Sequence, residues 1–297
     1  MPLPPLFFNF NSDPLLAGQL GTALQAERGQ FSQRRFPDHE TYLRVDTPCA
    51  DRAVVVFCNL FDPDPKILPL IFLCDTLRDL GARQVVLITP YLCYMRQDKR
   101  FQPGECVNAQ PFARLLSRYI DLLITVDPHL HRIHALDEIY TVPSIVVEAA
   151  PLIAAWLRAE RPDAVLIGPD SESEQWVSRV AALADLPYVV LHKERLGDRA
   201  VRVSTPQLEP WRTRTPVLLD DIISSGQTML ATLDHLRRLG LKRPLCIGVH
   251  GLFADNAYAE LQVMADVVTT QTLPHPSNGI AIADALAAPV IAWIRQH

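Results

Sequence analysis

PVLLDDIISSGQTMLATLDHL, residues Pro216–Leu236, decides the fold class. Val217–Leu219 reads as a buried strand, and Thr228–Leu239 as an amphipathic helix that stops at Gly240. Between them stand two adjacent carboxylates, Asp220 and Asp221, and the polar loop Ser224-Ser225-Gly226-Gln227-Thr228. An apolar strand without polar alternation, followed at once by a helix, is the unit of a parallel sheet covered on both faces. Working outward, Ala53–Leu60, Gln84–Thr89, Leu122–Val126, Ala164–Ile167, Tyr188–Leu191 and Leu245–Val249 read as further strands of this kind. Helical spacing falls over Ile67–Leu80, which ends at Gly81, and over Pro111–Tyr119, Pro151–Glu160 and Ser173–Ala184. The expectation is an α/β protein of mainly parallel sheets flanked by helices. A boundary near Thr141–Ala149 gives two domains of similar size, 1–145 and 146–297.

Composition agrees with that architecture. The 297 residues are 48% hydrophobic and 21% charged, enough to bury a large core, so a mostly disordered chain is excluded. Lys and Arg number 28 against 33 Asp and Glu, so the net charge is 28 − 33 = −5. With a pI near 6.0 a broad nucleic-acid face has no support, whereas a local basic pocket remains compatible. Apolar runs such as Ile67–Cys74 are too short to cross a bilayer. The start MPLPPLFFNFN has no basic segment and no signal-like core, so the chain reads as soluble and cytoplasmic. The six cysteines form neither a CxxC pair nor a zinc-finger pattern and read as small buried hydrophobes.

In open α/β sheets ligands bind beyond the carboxyl ends of the strands. Four places there carry chemistry. In the first, the SSGQT loop opens a helix whose first amides, with the Ser and Thr hydroxyls, make an anion cradle beside two carboxylates suited to ribose hydroxyls. Its bland alternative is a capped helix after an acidic turn. In the second, GPDSESEQW, Asp170 follows a strand and suits Mg²⁺, while Glu172 and Glu174 serve a helix dipole as readily as a site. The third is VDPHLHRIH, where His129 stands nearest the strand end and His131 and His134 read as surface or second-layer histidines. The fourth is YMRQDKR, whose Arg96, Lys99 and Arg100 make a local basic cluster; on charge alone a solvated loop explains it slightly better than an anion site.

Together, and in this order, these places resemble the ribose-phosphate pyrophosphokinase family. DDIISSGQT resembles the ribose-phosphate loop that the family shares with type I phosphoribosyltransferases. RRFPDHETYLRV (Arg34–Val45) resembles its adenine-binding F-x-D-G-E segment, and YMRQDK its R-Q-D segment beside the ATP phosphates. DPHLHRI and GPD resemble its two metal segments. LHKERLGD (Leu191–Asp198) resembles its flexible-loop K-x-R, and VVTTQTLPH (Val267–His275) its threonine-rich segment.

The resemblance implies two tandem type I phosphoribosyltransferase-like domains, with the last helix packing on the first. It implies transfer of the diphosphoryl group of ATP to the 1-hydroxyl of ribose 5-phosphate, Mg²⁺ as cofactor, and a homo-oligomer. Carried over by position, Phe36, Asp38 and Glu40 would meet the adenine, and Arg96, Gln97 and Asp98 the rest of ATP. His129 and Asp170 would hold Mg²⁺, and Lys193 and Arg195 would close over the transferring group. Asp220, Asp221, Ser224, Ser225, Gly226, Gln227 and Thr228 would hold ribose 5-phosphate.

The chain departs from the family pattern at three places. His39 and Gln227 stand where the family has glycine, and Ser171-Glu172 replaces two glycines after Pro169-Asp170. Such departures leave two further readings beside an active synthetase: a non-catalytic regulatory homologue, and a phosphoribosyltransferase that consumes the sugar diphosphate. The doubled length and the ATP-like segments weigh against the last.

Overall fold

Valine- and isoleucine-rich runs form the strands, because β-branched side chains pack well on a pleated surface buried on both sides. A computed structural model describes residues 3–10, 12–169, 173–191, 193–195, 201–203 and 208–297, with the backbone alone for 193–195, 201–203 and 209. The described chain divides into two units. One runs through Val147 and regains the chain at Ala283–His297; the other is Glu148–Ile282.

The first unit begins with β1 (Leu6–Asn9), α1 (Pro14–Ala23) and β2 (Glu27–Arg28). A hairpin follows, β3 (Phe31–Arg35) and β4 (Thr41–Val45). Next come β5 (Ala53–Phe57), α2 (Asp64–Asp79), β6 (Gln84–Ile88), α3 (Ala109–Leu116), β7 (Leu122–Val126) and β8 (Ser144–Val147). Six strands form one sheet in the order β2-β1-β5-β6-β7-β8, every pair parallel. Local chemistry sets the helix ends. Asp13 accepts from the Leu15 amide at 2.9 Å and Pro14 opens α1. Gly81, at φ +87°, donates to the Arg78 carbonyl and closes α2.

The second unit contains α4 (Ala150–Glu160), β9 (Ala164–Gly168), α5 (Glu174–Ala184) and β10 (Tyr188–Val190). A second hairpin, β11 (Lys193–Arg195) and β12 (Val201–Val203), precedes β13 (Thr215–Ile223), α6 (Gln227–Arg238), β14 (Leu245–Gly251), α7 (Ala257–Met264), β15 (Asp266–Thr270) and β16 (Asn278–Ile280). Its sheet is β10-β9-β13-β14-β15-β16, again all parallel. Counted within each unit and leaving out the hairpin, both sheets share the order 2-1-3-4-5-6, and both hairpins fall between the second and third strands. The final helix α8 (Ala283–Gln296) belongs to the first unit, where it packs on α1, β7 and β8 with Leu286 and Val290 fully buried.

One element differs from its reading in a way that matters for the site. The strand expected over Val217–Leu219 runs from Thr215 to Ile223, so Asp220 and Asp221 lie within it rather than after it. Pairing with β14 extends the ladder, with Asp220 opposite Gly248, Ile222 opposite His250 and Ile223 opposite Gly251. A neighbouring strand imposes that conformation on residues that are poor strand formers alone.

Candidate functional site

A 2-1-3 strand order makes a topological switch point between the first and third strands, and the crevice beyond their carboxyl ends is where such sheets take ligands. In the second unit that crevice lies beyond Gly168 of β9 and Ile223 of β13. Asp220 and Asp221 are half-buried on the last residues of β13. Each carboxylate accepts from the following amide, Asp221 N to Asp220 Oδ1 at 3.0 Å and Ile222 N to Asp221 Oδ1 at 2.7 Å. These bonds fix one oxygen of each acid toward its own backbone.

The loop Ser224-Ser225-Gly226 then turns into α6. Gly226 caps the helix at φ +69°, a left-handed conformation that side chains strain to adopt, and contributes no side-chain cap. The first-turn amides of a helix have no intrahelical carbonyl to meet, and an anion answers both them and the helix dipole. Gly248 seats the loop from below. A Cβ there would stand 2.7 Å from Ile223 Cδ1, so the glycine makes the room that lets Ile223 bury itself. Ser224 and Thr228 are half-buried, Ser225 and Gln227 exposed.

The corresponding crevice of the first unit is stitched by the chain itself. Asn9 Oδ1 accepts from Ser12 N at 3.1 Å, Ser12 Oγ accepts from Asn59 N at 2.7 Å, and Lys66 Nζ donates to the Asn59 carbonyl at 3.0 Å and to that of Phe61. Where the second unit presents a glycine-capped helix, the first presents Pro63 and Asp64 at the start of α2. A proline amide donates nothing and an aspartate repels an anion.

The other expected residues of the first unit lie on three separate segments, the β3–β4 hairpin and the loops that follow β6 and β7. Phe36, Asp38 and Glu40 occupy the tip of the β3–β4 hairpin. Phe36 N donates to the Glu40 carbonyl at 2.8 Å, and Asp38 Oδ1 accepts from Glu40 N at 3.2 Å. Arg34 stacks over both Phe36 and Tyr42, 4.7 and 4.3 Å from the ring centres, and the two rings meet edge to face. Arg34 and Tyr42 are directly paired across the hairpin, a contact invisible before the register is known.

Arg96, Gln97 and Asp98 follow β6. Arg96 is exposed and Gln97 half-buried, but Asp98 is turned inward, its side chain 3% exposed and its carboxylate held by Arg132. His129 follows β7, half-buried, its ring 6.3 Å from and nearly parallel to that of His131. Asp127, at the strand end, holds φ +29°. Lys193 and Arg195 lie on β11, with only their backbone described. Asp170, Ser171 and Glu172 lie outside the described residues, as do Gly197–Arg199.

Among the described residues no three His, Cys, Asp or Glu side chains converge as a metal cage. Mg²⁺ needs none, since it keeps several waters and is held by one or two carboxylates together with substrate phosphates. The half-buried acids Asp220 and Asp221 in the second unit and Asp127 in the first are donors of that class. His129 offers nitrogen, a less suitable donor for so hard an ion.

The ribose-phosphate pyrophosphokinase of Methanopyrus kandleri is 35% identical over 280 residues, which cover 93% of this chain and 94% of that protein. The chain belongs to the ribose-phosphate pyrophosphokinase family. A model of the N-terminal domain of ribose phosphate pyrophosphokinase matches residues 6–119, and a phosphoribosyl transferase domain model matches residues 135–284. The ribose-phosphate pyrophosphokinase of Thermococcus kodakarensis is 30% identical over 85% of this chain and 89% of its own length. The solved phosphoribosylpyrophosphate synthetase of Mycobacterium smegmatis has the same fold, with a TM-score of 0.84 over 99% of this chain and 100% of that one at 24% identity.

Two departures from the family pattern acquire a structural account. Gln227, standing for a glycine, is the first residue of α6, a right-handed position that any side chain adopts; the left-handed position beside it has kept its glycine, Gly226. His39 is the harder case. It holds φ +71° at the hairpin tip, the conformation that a family glycine adopts without strain. The hairpin keeps its turn nonetheless, with His39 N donating to the Phe36 carbonyl at 2.9 Å.

Proposed function

We propose that this enzyme transfers the β,γ-diphosphoryl group of ATP to the 1-hydroxyl of ribose 5-phosphate, giving the 1-diphosphate and AMP. The sugar oxygen bonds to the β-phosphorus, the bond from that phosphorus to the α,β-bridging oxygen breaks, and the hydroxyl proton is released. One observation carries the reading: the glycine-capped start of α6 directly follows two half-buried carboxylates at the switch point of the second unit.

In this reading Ser224, Ser225, Gly226, Gln227 and Thr228 cradle the 5-phosphate while Asp220 and Asp221 accept from ribose hydroxyls. Phe36, Asp38 and Glu40 meet the base, and Arg96 and Gln97 the polyphosphate. Lys193 and Arg195 neutralise the transferring group, since this chemistry needs positioning and charge compensation rather than a covalent nucleophile. His129 and Asp170, with Asp127 as a further oxygen donor, would hold Mg²⁺. The ion supplies charge neutralisation on the phosphate oxygens. The chain works in an aqueous compartment as a homo-oligomer.

The test is to incubate the protein with Mg²⁺, ATP and ribose 5-phosphate and to follow products by mass spectrometry. Equimolar AMP and sugar diphosphate are expected. Absence of AMP with ATP and with a panel of other nucleotide donors would overturn the reading and favour a non-catalytic regulatory homologue.

A further inference from the structure

We propose that the Asp98–Arg132 ion pair is a clamp that sets the loop bearing Arg96 and Gln97 against the loop bearing His129, and so governs the grip on the nucleotide's phosphates. This rests on the proposed reaction, but it concerns two residues that the reaction does not itself require to touch substrate.

The two loops leave adjacent strands. β6 and β7 run parallel, with Ile88 opposite Ile124, and their carboxyl ends release residues 89–108 and 127–143 on the same side. Loops this long are held in one arrangement only by specific contacts. Near the strand ends the amide of Val126 reaches the Pro90 carbonyl at 3.2 Å. Farther out the link is Asp98. Its Oδ2 accepts from the backbone amide of Arg132 at 3.0 Å, and its Oδ1 from the Arg132 guanidinium at 3.1 Å. One carboxylate therefore fixes both the main chain and the side chain of a residue three positions after His129, and it does so one position after Gln97.

Burial makes the pair exacting. The Asp98 side chain is 3% exposed while that of Arg132 is 41% exposed. A carboxylate whose side chain has so little contact with solvent is stabilised by having its hydrogen bonds filled, and Arg132 fills two of them. The neighbouring segment is organised toward it. Phe101 and Gln102 donate their amides to Glu105 Oε2 at 2.8 and 3.1 Å, Arg100 Nε donates to the Glu105 carbonyl at 2.9 Å, and Lys99 and Arg132 flank the Phe101 ring. The loop thus closes on itself at Glu105 and is tied to its neighbour at Asp98. The family resemblance groups Asp98 with Arg96 and Gln97 at ATP; its carboxylate is bonded to Arg132, and in this proposal it acts as a positioning residue.

The test uses the full chain and α,β-methylene-ATP, whose carbon bridge blocks the bond that the transfer breaks, so binding is read without turnover. With Mg²⁺, isothermal titration should show R132M and D98N each weakening the analogue at least tenfold, with ribose 5-phosphate affinity within twofold of the parent. R132K should recover part of the loss, and D98N/R132M should bind no more weakly than the poorer single variant, as expected for residues acting as one unit. Analogue affinity within twofold of the parent in R132M, a parallel loss of ribose 5-phosphate binding, or additive effects in the double variant would overturn the clamp. Should D98N fail to fold, R132M and R132K, altered at the exposed partner, still decide the question. A parent chain that does not bind the analogue at all would instead overturn the proposed function.

Discussion

At the hairpin tip His39 pays a conformational cost that a glycine would not. A left-handed residue with a side chain costs about 1–2 kcal/mol, and the added freedom of a glycine in the unfolded chain returns about 0.4–1 kcal/mol. H39G should therefore stabilise the chain by up to about 1.6 kcal/mol, a rise in thermal midpoint of no more than about 3–6 °C for a domain of this size. A lower midpoint by differential scanning calorimetry would show that the His39 side chain makes a contact worth more than the strain. Asp98 gives a second prediction at this scale. Burial pushes its carboxyl up, but the Arg132 amide, guanidinium and charge together outweigh burial and leave it below the ordinary value of 3.8. Its folded pKa is depressed, so the stability it contributes is present above that ordinary value and fades as pH falls through the lower one. Between about pH 5 and 3 the D98N variant should lose less stability than the parent in urea titrations. Equal losses would mean that the pair does not couple to folding. Neither residue's state was legible beforehand: a φ value and an ion pair across 34 positions depend on the turn and on the sheet register, not on nearest neighbours in the chain.

The strand-loop-helix unit Thr215–Arg238 carries the element-scale prediction. G226A places a side chain at φ +69° and brings a Cβ within 3.4 Å of Leu261 Cδ1. It should cost about 1–2 kcal/mol of stability. It should also raise the KM for ribose 5-phosphate while leaving that for ATP within twofold, as steady-state kinetics with each substrate varied would measure. An equal rise in both would argue that the loop does not hold the sugar phosphate. The helix, the loop and the apolar start of the strand could all be read from periodicity and turn chemistry. The last four residues of the strand could not, because Asp220 and Asp221 oppose strand formation alone and enter it only by pairing with β14. Likewise β5, β6, β7, β9 and β14 are wholly buried, predominantly apolar runs and announce themselves. The short β2 and the three-residue β16 carry too little pattern to announce anything.

On the scale of the whole molecule, the first unit is completed by the last residues of the chain. Leu286, Ala287 and Val290 of α8 are buried against elements that begin more than 100 residues earlier. L286A should cost about 2–5 kcal/mol, the usual range for emptying a fully buried leucine site. Hydrogen exchange read by mass spectrometry should then show faster exchange in peptides of α1, β7 and β8, with those of β13–β15 unchanged. Uniform acceleration would mean that the two units unfold as one. The charge balance and the lengths of the helices belong to this scale too: among the described residues no helix is long and apolar enough to cross a membrane.

By itself the sequence determined the α/β class, the positions of β5, β6, β7, β9, β10 and β14 and of the apolar start of β13, the acidic balance of the chain and the order of the motifs that mark the family, but not β1, β8 or β15. These follow from local quantities: hydrophobic period, turn residues, residue type and spacing. Only the tertiary structure decided that both sheets adopt the order 2-1-3-4-5-6, so that β9 lies beside β13 and opens a crevice at their ends. Only it decided that the segments after the matching strands of the first unit are bridged by Ser12, Asn59 and Lys66, and that Asp98 answers to Arg132. The physical reason is common to all three. Periodicity reports that a residue is buried or paired, whereas its partner is chosen by long-range packing, in which residues far apart in the chain compete for the same space and the same hydrogen bonds.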